Sequence, residues 1–147
     1  MKTSLIWALM SLLVLFGGPA SGEELERVPP ITDAVVRKEC GACHMAYQPQ
    51  FLPADAWRRM FDELDRHFGD DASLADPVRQ HVLDYYIAHA GKQKTTGTVP
   101  LRITETPAWI RSHREVKAAD WTKPQVKFKA NCSACHKRAE GGIYEED

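Results

Sequence analysis

Cysteine is confined to two short segments of this chain, methionine is scarce, and neither sign of charge dominates. The 147 residues hold 4 Cys and 4 Met, with 19 Lys and Arg against 20 Asp and Glu. There is no glycine-rich phosphate loop, no Ser/His/Asp constellation and no metalloprotease signature, so the usual motifs of phosphate binding, acyl transfer and zinc proteolysis are missing. The longest apolar run, Leu5 to Phe16, is too short for a confident membrane span. Beyond that run only Met45 and Met60 remain as thioethers.

The N-terminus reads as an export signal. Lys2 supplies the positive start, Leu5 to Phe16 the apolar centre, and Gly17, Gly18 and Pro19 break it. Ala20-Ser21-Gly22 offers small residues for processing, with cleavage expected between Gly22 and Glu23. Residues 1–22 are therefore expected to be a signal peptide; the alternative is an uncleaved anchor. In either case the remainder crosses the membrane.

The four cysteines form one repeated pattern, Cys40-Gly41-Ala42-Cys43-His44 and Cys132-Ser133-Ala134-Cys135-His136. Cys-x-x-Cys-His is the attachment signature of c-type haem. On a helical turn the two thiols lie on one side and each forms a thioether to a haem vinyl group, while the following His reaches the iron axially. Two covalent haem c groups are expected, with Cys40, Cys43, Cys132 and Cys135 as attachment points and His44 and His136 as proximal iron ligands. A four-cysteine zinc site would explain the cysteines but neither the His after each pair nor the export signal. Covalent haem is attached in the periplasm, so the motifs and the leader agree on a periplasmic protein. Nucleic acid is not an expected partner there.

From Glu23 onward there is chain enough for one ordinary domain or two very small ones. Apolar residues are few for that length, so the haems are expected to complete the core and the unligated chain to fold poorly. A helix is expected over Ile31–Cys40, running into the first motif. A second begins near Asp55, with Trp57, Phe61, Leu64 and Phe68 on one stripe, and stops at Gly69. A third opens with Asp76-Pro77, carries Val78, Val82, Tyr85, Tyr86 and His89, and ends at Gly91. These make residues 23–91 an N-terminal haem domain. Residues 92–100 lack apolar periodicity and read as a linker. In residues 101–147 Thr106-Pro107 opens one further helix bearing Trp109, Ile110 and His113, and the rest is irregular.

The sixth ligand decides what a haem iron does: an open site permits gas or peroxide chemistry, a closed one makes a carrier. Met45 adjoins His44 and cannot reach the opposite face of the same haem, and Met60 reads as core filler. Four histidines remain. His67 lies in the segment that must cover the first haem, and His113 shares a helical face with Trp109 ahead of the second motif. They are the expected distal ligands of haems one and two. His81 and His89 remain alternatives, better read as surface or satisfied core residues.

Charge is unevenly spread. Glu23 to Ala90 has 13 acidic and 7 basic residues, whereas Arg111 to Arg138 has 8 basic and 2 acidic. Lys117, Lys123, Lys127, Lys129, Lys137 and Arg138 form a basic collar around the second motif, suited to docking an acidic partner.

Beyond the haem motifs, Trp57, His67-Phe68-Gly69-Asp70-Asp71-Ala72-Ser73-Leu74, Asp84-Tyr85-Tyr86-Ile87, Ile103 through Trp109, His113-Arg114-Glu115 and Ala130 through His136 followed by Gly141 resemble the small periplasmic dihaem cytochrome c family. The resemblance covers nearly all of the chain after the leader. It implies a mainly α protein: an N-terminal class I cytochrome c-like helical haem domain plus a small irregular C-terminal haem-binding segment. It also implies two low-spin bis-His haems, and electron transport between a membrane cytochrome b and a soluble haem protein. The membrane would then be reached only through a partner. His67 and His113 fall inside matching segments, although those segments leave open which His serves which haem. The reading is an electron carrier and not an enzyme, with an enzymatic role at an open haem site left as the alternative. The rival is a dihaem enzyme with one open iron, peroxidase-like or activating a small molecule, for which little chain is left to build a pocket.

Overall fold

The computed structural model describes residues 26–93 and 97–145. The expected signal peptide, its cleavage site and residues 94–96 of the expected linker lie outside the described residues. Among those described the protein is helical, with isolated bridges and no strand. The described residues form five α-helices: α1 (Ala34–Cys40), α2 (Ala54–Asp62), α3 (Val78–Ala88), α4 (Pro107–Ser112) and α5 (Ala118–Trp121).

Helix α1 starts where Asp33 caps it, the Asp33 carboxylate accepting from the Val36 N–H at 2.9 Å. It ends at Cys40 because Gly41 lets the chain turn: a Cβ there would lie 2.3 Å from the Arg37 carbonyl oxygen. The first motif thus begins as the helix terminates. Helix α3 packs across both α1 and α2. Asp76 does not cap it; Pro77 occupies that position, and no side chain bonds the first turn.

Helix α2 buries Ala56, Trp57, Met60 and Phe61, of which Trp57 and Phe61 lie on the expected stripe. It does not run on to Phe68. Regular helix stops at Asp62, and Leu64–Arg66 forms a 3₁₀ turn. The Leu64 carbonyl, which a continuing helix would offer to the Phe68 N–H, instead accepts from Ala72 N–H at 2.8 Å. Phe68 and Gly69 then adopt φ of 53° and 110°, reversing the chain. Phe68 consequently leaves the stripe and lies partly exposed, with the Arg102 guanidinium 4.0 Å from its ring centre.

The core comprises Ile31, Val36, Leu52, Ala56, Trp57, Met60, Phe61, Val82, Tyr86 and Val99. Each large apolar side chain fully buried contributes about 1.5–3 kcal/mol. Trp57 donates its indole N–H to the Pro49 carbonyl at 2.8 Å, so its polar edge is satisfied inside that core. Val99, from the expected linker, packs into the same cluster, and Arg59 bonds its carbonyl at 2.6 Å. Residues 97–101 therefore lie against the first half.

The C-terminal part has little core of its own; among the described residues Thr106, Val126, Ala139 and Gly142 are buried there. Thr106 caps α4, accepting from the Trp109 N–H at 3.3 Å, with Pro107 at the first helical position. The two ends of the described chain are tied together: Val28 N–H bonds the Gly142 carbonyl at 2.9 Å, and Tyr144 N–H bonds that of Glu26 at 2.7 Å.

Candidate functional site

The first motif extends from the last residue of α1. Cys40 is half-buried and Cys43 exposed; none of the four cysteines is in a disulfide. Burial pushes the Cys40 thiol above its ordinary pKa. His44 follows and donates Nδ1–H to the Met45 carbonyl at 2.8 Å, which orients its ring. The break after α2 carries His67 to the same place. The His44 and His67 rings have centroids 6.3 Å apart and planes 25° apart. Burial pushes the His67 pKa down, and the neighbouring His44 lowers it further.

The second motif repeats this with other means. Cys132 opens a 3₁₀ turn, Cys132–Ala134, and burial pushes its thiol up to about 11. His136 meets His113, which follows α4, with ring centroids 6.1 Å apart and planes 86° apart. His113 donates Nδ1–H to the Trp109 carbonyl at 3.0 Å. Its ring lies face to face on Trp109, at 4.2 Å and 14°, with Trp121 tilted beside both. Burial pushes the His113 pKa down, against the opposing effect of the Trp109 carbonyl. Lowered values keep His67 and His113 as neutral imidazoles, the form that binds metal.

These pairs fit an axially ligated metal. An imidazole nitrogen bonds a transition metal at about 2.0 Å and lies about 1.1 Å from its ring centre, so two imidazoles sharing one metal have centroids about 6.2 Å apart. Both observed separations match. Three buried side-chain N or O atoms lack a partner among the described residues, and two of them are the Nδ1 atoms of His67 and His136. No group of three or more His, Cys, Asp or Glu converges among the described residues, as a structural zinc site demands. A haem iron asks less of the chain, because the porphyrin supplies four of its six ligands.

The remaining candidates are engaged elsewhere. His81 Nε2 lies 2.9 Å from an Asp33 carboxylate oxygen, and His89 donates Nδ1–H to the Tyr85 carbonyl at 2.8 Å; both are exposed. Met60 is in the core. Met45 Sδ accepts from the Ser133 hydroxyl at 3.5 Å, linking the two motifs.

Sequence reasoning passed over a group of residues between the motifs. Tyr47 stacks on His44 at 4.7 Å and donates its hydroxyl to the Ala130 carbonyl at 2.8 Å. Gln48 is fully buried. Tyr144 sets its ring edgewise to His136 at 5.6 Å. No spacing marks these residues; the hint is only that Tyr47 and Gln48 come three and four residues after His44.

The family model for dihaem cytochrome c matches residues 36–144. A solved dihaem cytochrome c from Rhodobacter sphaeroides is 36% identical, with 79% of this chain and 99% of that one covered and a TM-score of 0.71. A second Rhodobacter sphaeroides structure is 40% identical, covering 78% and 98%, with a TM-score of 0.63. A dihaem cytochrome c from Shewanella baltica is 40% identical, covering 76% and 86%, with a TM-score of 0.69. No curated protein sequence matches. The chain belongs to the dihaem cytochrome c family: it carries two covalently bound haem c groups and is a haem protein of electron transfer.

Proposed function

We propose that the protein is a periplasmic electron carrier between a membrane cytochrome b and a soluble haem protein, with both haem irons closed by two histidines. His44 and His67 would hold the first, His136 and His113 the second. The observation that carries this reading is the pair of His–His centroid separations, 6.3 and 6.1 Å. When bound, each haem supplies reversible one-electron chemistry at its iron. The chain would supply two histidines to each iron, which would leave no place there for a substrate. His44 and His113 give their Nδ1–H to backbone carbonyls, which orients the rings and raises their basicity as ligands. Two imidazoles favour a lower potential than the His/Met set of other cytochromes c. The leader pattern and the attachment chemistry support the periplasmic location.

The surface around the second motif supports docking to an acidic partner. All six collar cations are exposed. Lys123 is paired with Asp120 at 2.7 Å, and Arg138 lies 4.0 Å from Glu145.

The reading is tested by absorbance and EPR spectra of the holo-protein, ferric and ferrous, with and without carbon monoxide. Two low-spin haems indifferent to carbon monoxide are expected. A high-spin component or prompt carbon monoxide binding at neutral pH overturns the carrier and favours an enzyme with one open iron.

A further inference from the structure

The two motif histidines are oriented differently. His44 has a hydrogen-bond acceptor on Nδ1, the Met45 carbonyl, whereas the buried Nδ1 of His136 has none among the described residues. A metal-binding His ordinarily has that second partner. At His136 its place is taken by packing, the Tyr144 ring lying edgewise with its centroid 5.6 Å from that of His136. Tyr144 is itself anchored from the other half of the molecule, its hydroxyl donating to Gln48 Oε1. Gln48 is fully buried, and its Nε2 donates to the Ala139 carbonyl at 2.8 Å. A buried amide used at both ends is costly to disturb.

We propose that Gln48, acting through Tyr144, is the positioning residue for His136. The side chain that orients the second haem's proximal ligand thus comes from the loop after the first haem's motif. The inference rests on the bis-His assignment above. Its distinguishing consequence is spatial. Gln48 is four residues beyond His44, so a merely local structural role would disturb the first haem; the proposal requires the second to respond.

The test uses holo-protein carrying Gln48→Leu and, separately, Tyr144→Phe, which keeps the ring and removes the hydroxyl. Haem content is checked at two per chain. EPR signals and midpoint potentials are assigned to each haem with His67→Ala and His113→Ala. Expected is a shift of the second haem's signal and a change of about threefold or more in its ferric–ferrous equilibrium constant, with the first haem unmoved. Loss of the second haem alone in Gln48→Leu, with Tyr144→Phe showing the spectral shift, supports the proposal equally. No change in either variant, equal changes at both haems, or a change at the first alone overturns it. If His67→Ala and His113→Ala do not each open a different haem, the bis-His assignment has failed, independently of Gln48.

Discussion

The ring planes of His113 and His136 stand 86° apart, with centroids 6.1 Å from each other. The His44 and His67 planes differ by only 25°. Axial imidazoles act on the iron through π overlap, and the relative orientation of their planes decides which d orbitals they split. Near-parallel planes separate the two orbitals of π symmetry; perpendicular planes leave them nearly degenerate. The ferric protein should therefore show two unlike low-spin EPR signals of equal spin count. One should be rhombic, from the first haem. The other should be highly anisotropic and dominated by a single low-field feature, from the second. Two overlapping rhombic signals would contradict the perpendicular arrangement.

The paired histidines predict separable ligand losses. His67→Ala should remove the rhombic signal and His113→Ala the anisotropic one, each converting about half of the low-spin intensity to high-spin. Each variant should gain one carbon monoxide site per chain by titration. His81→Ala should change neither spectrum, since its ring nitrogen is bonded to Asp33 on the surface.

The haem attachment was legible because thioether chemistry dictates a local spacing, and the helices because apolar periodicity survives in α1, α2 and α3. What depended on distant partners was hidden. Nothing in the stripe Trp57, Phe61, Leu64, Phe68 announces that Ala72 will take the Leu64 carbonyl and unwind the last turn. Val99 sits in a stretch without period, yet one buried Val suffices to fasten it to the core. Gln48 and Tyr144 meet across 96 positions, and a lone polar residue carries no sign of its burial. Chain order only suggested which His lies near which motif; the ring separations and plane angles needed coordinates.

Gly142 closes the connection between the two ends of the described chain. Its φ is 77°, and a Cβ there would lie 2.0 Å from the Val28 carbonyl oxygen. Gly142→Ala should cost about 2 kcal/mol or more, combining the left-handed penalty with the clash. Gly141→Ala is the control, because a Cβ at Gly141 meets nothing within 4 Å. Chemical denaturation of the ferric holo-protein should place the Gly142 variant at a clearly lower midpoint and the Gly141 variant near wild type.

Asp33 predicts an acid dependence. Its bond from the Val36 N–H holds the carboxyl below its usual pKa, assisted by His81. A folded-state pKa below the unfolded one contributes stability that is present above the unfolded value, near 3.9 for Asp. That contribution is lost as pH falls through the depressed folded value. Asp33→Asn keeps an acceptor for the cap but cannot titrate. Melting curves across the acid range should therefore converge for wild type and Asp33→Asn at the lowest pH and separate as pH rises past the Asp range. A constant separation at every pH would remove Asp33 from the acid response.

The collar should act on association rather than on the fold. Lys127 has φ of 60°, and the Phe128 N–H closes a tight turn onto the Val126 carbonyl at 2.6 Å. Val126 is buried beneath, and Asn131 bonds the Gln125 and Val126 carbonyls, so the turn is held from within. It presents Phe128, 47% exposed, between Lys127 and Lys129, four residues before the second motif. An apolar tip flanked by cations suits an acidic redox partner, with charge steering the encounter and the ring contributing after contact. Lys127→Glu with Lys129→Glu should slow second-order electron exchange with an acidic haem protein about tenfold at low ionic strength. The difference should shrink toward 0.1 M salt and above, where screening acts over about 10 Å. Phe128→Ala should weaken the complex with little effect on the salt dependence, because it removes contact area and no charge. Stopped-flow traces across a salt series separate the two contributions, and wild-type rates that ignore ionic strength would reduce the collar to ordinary solvated surface.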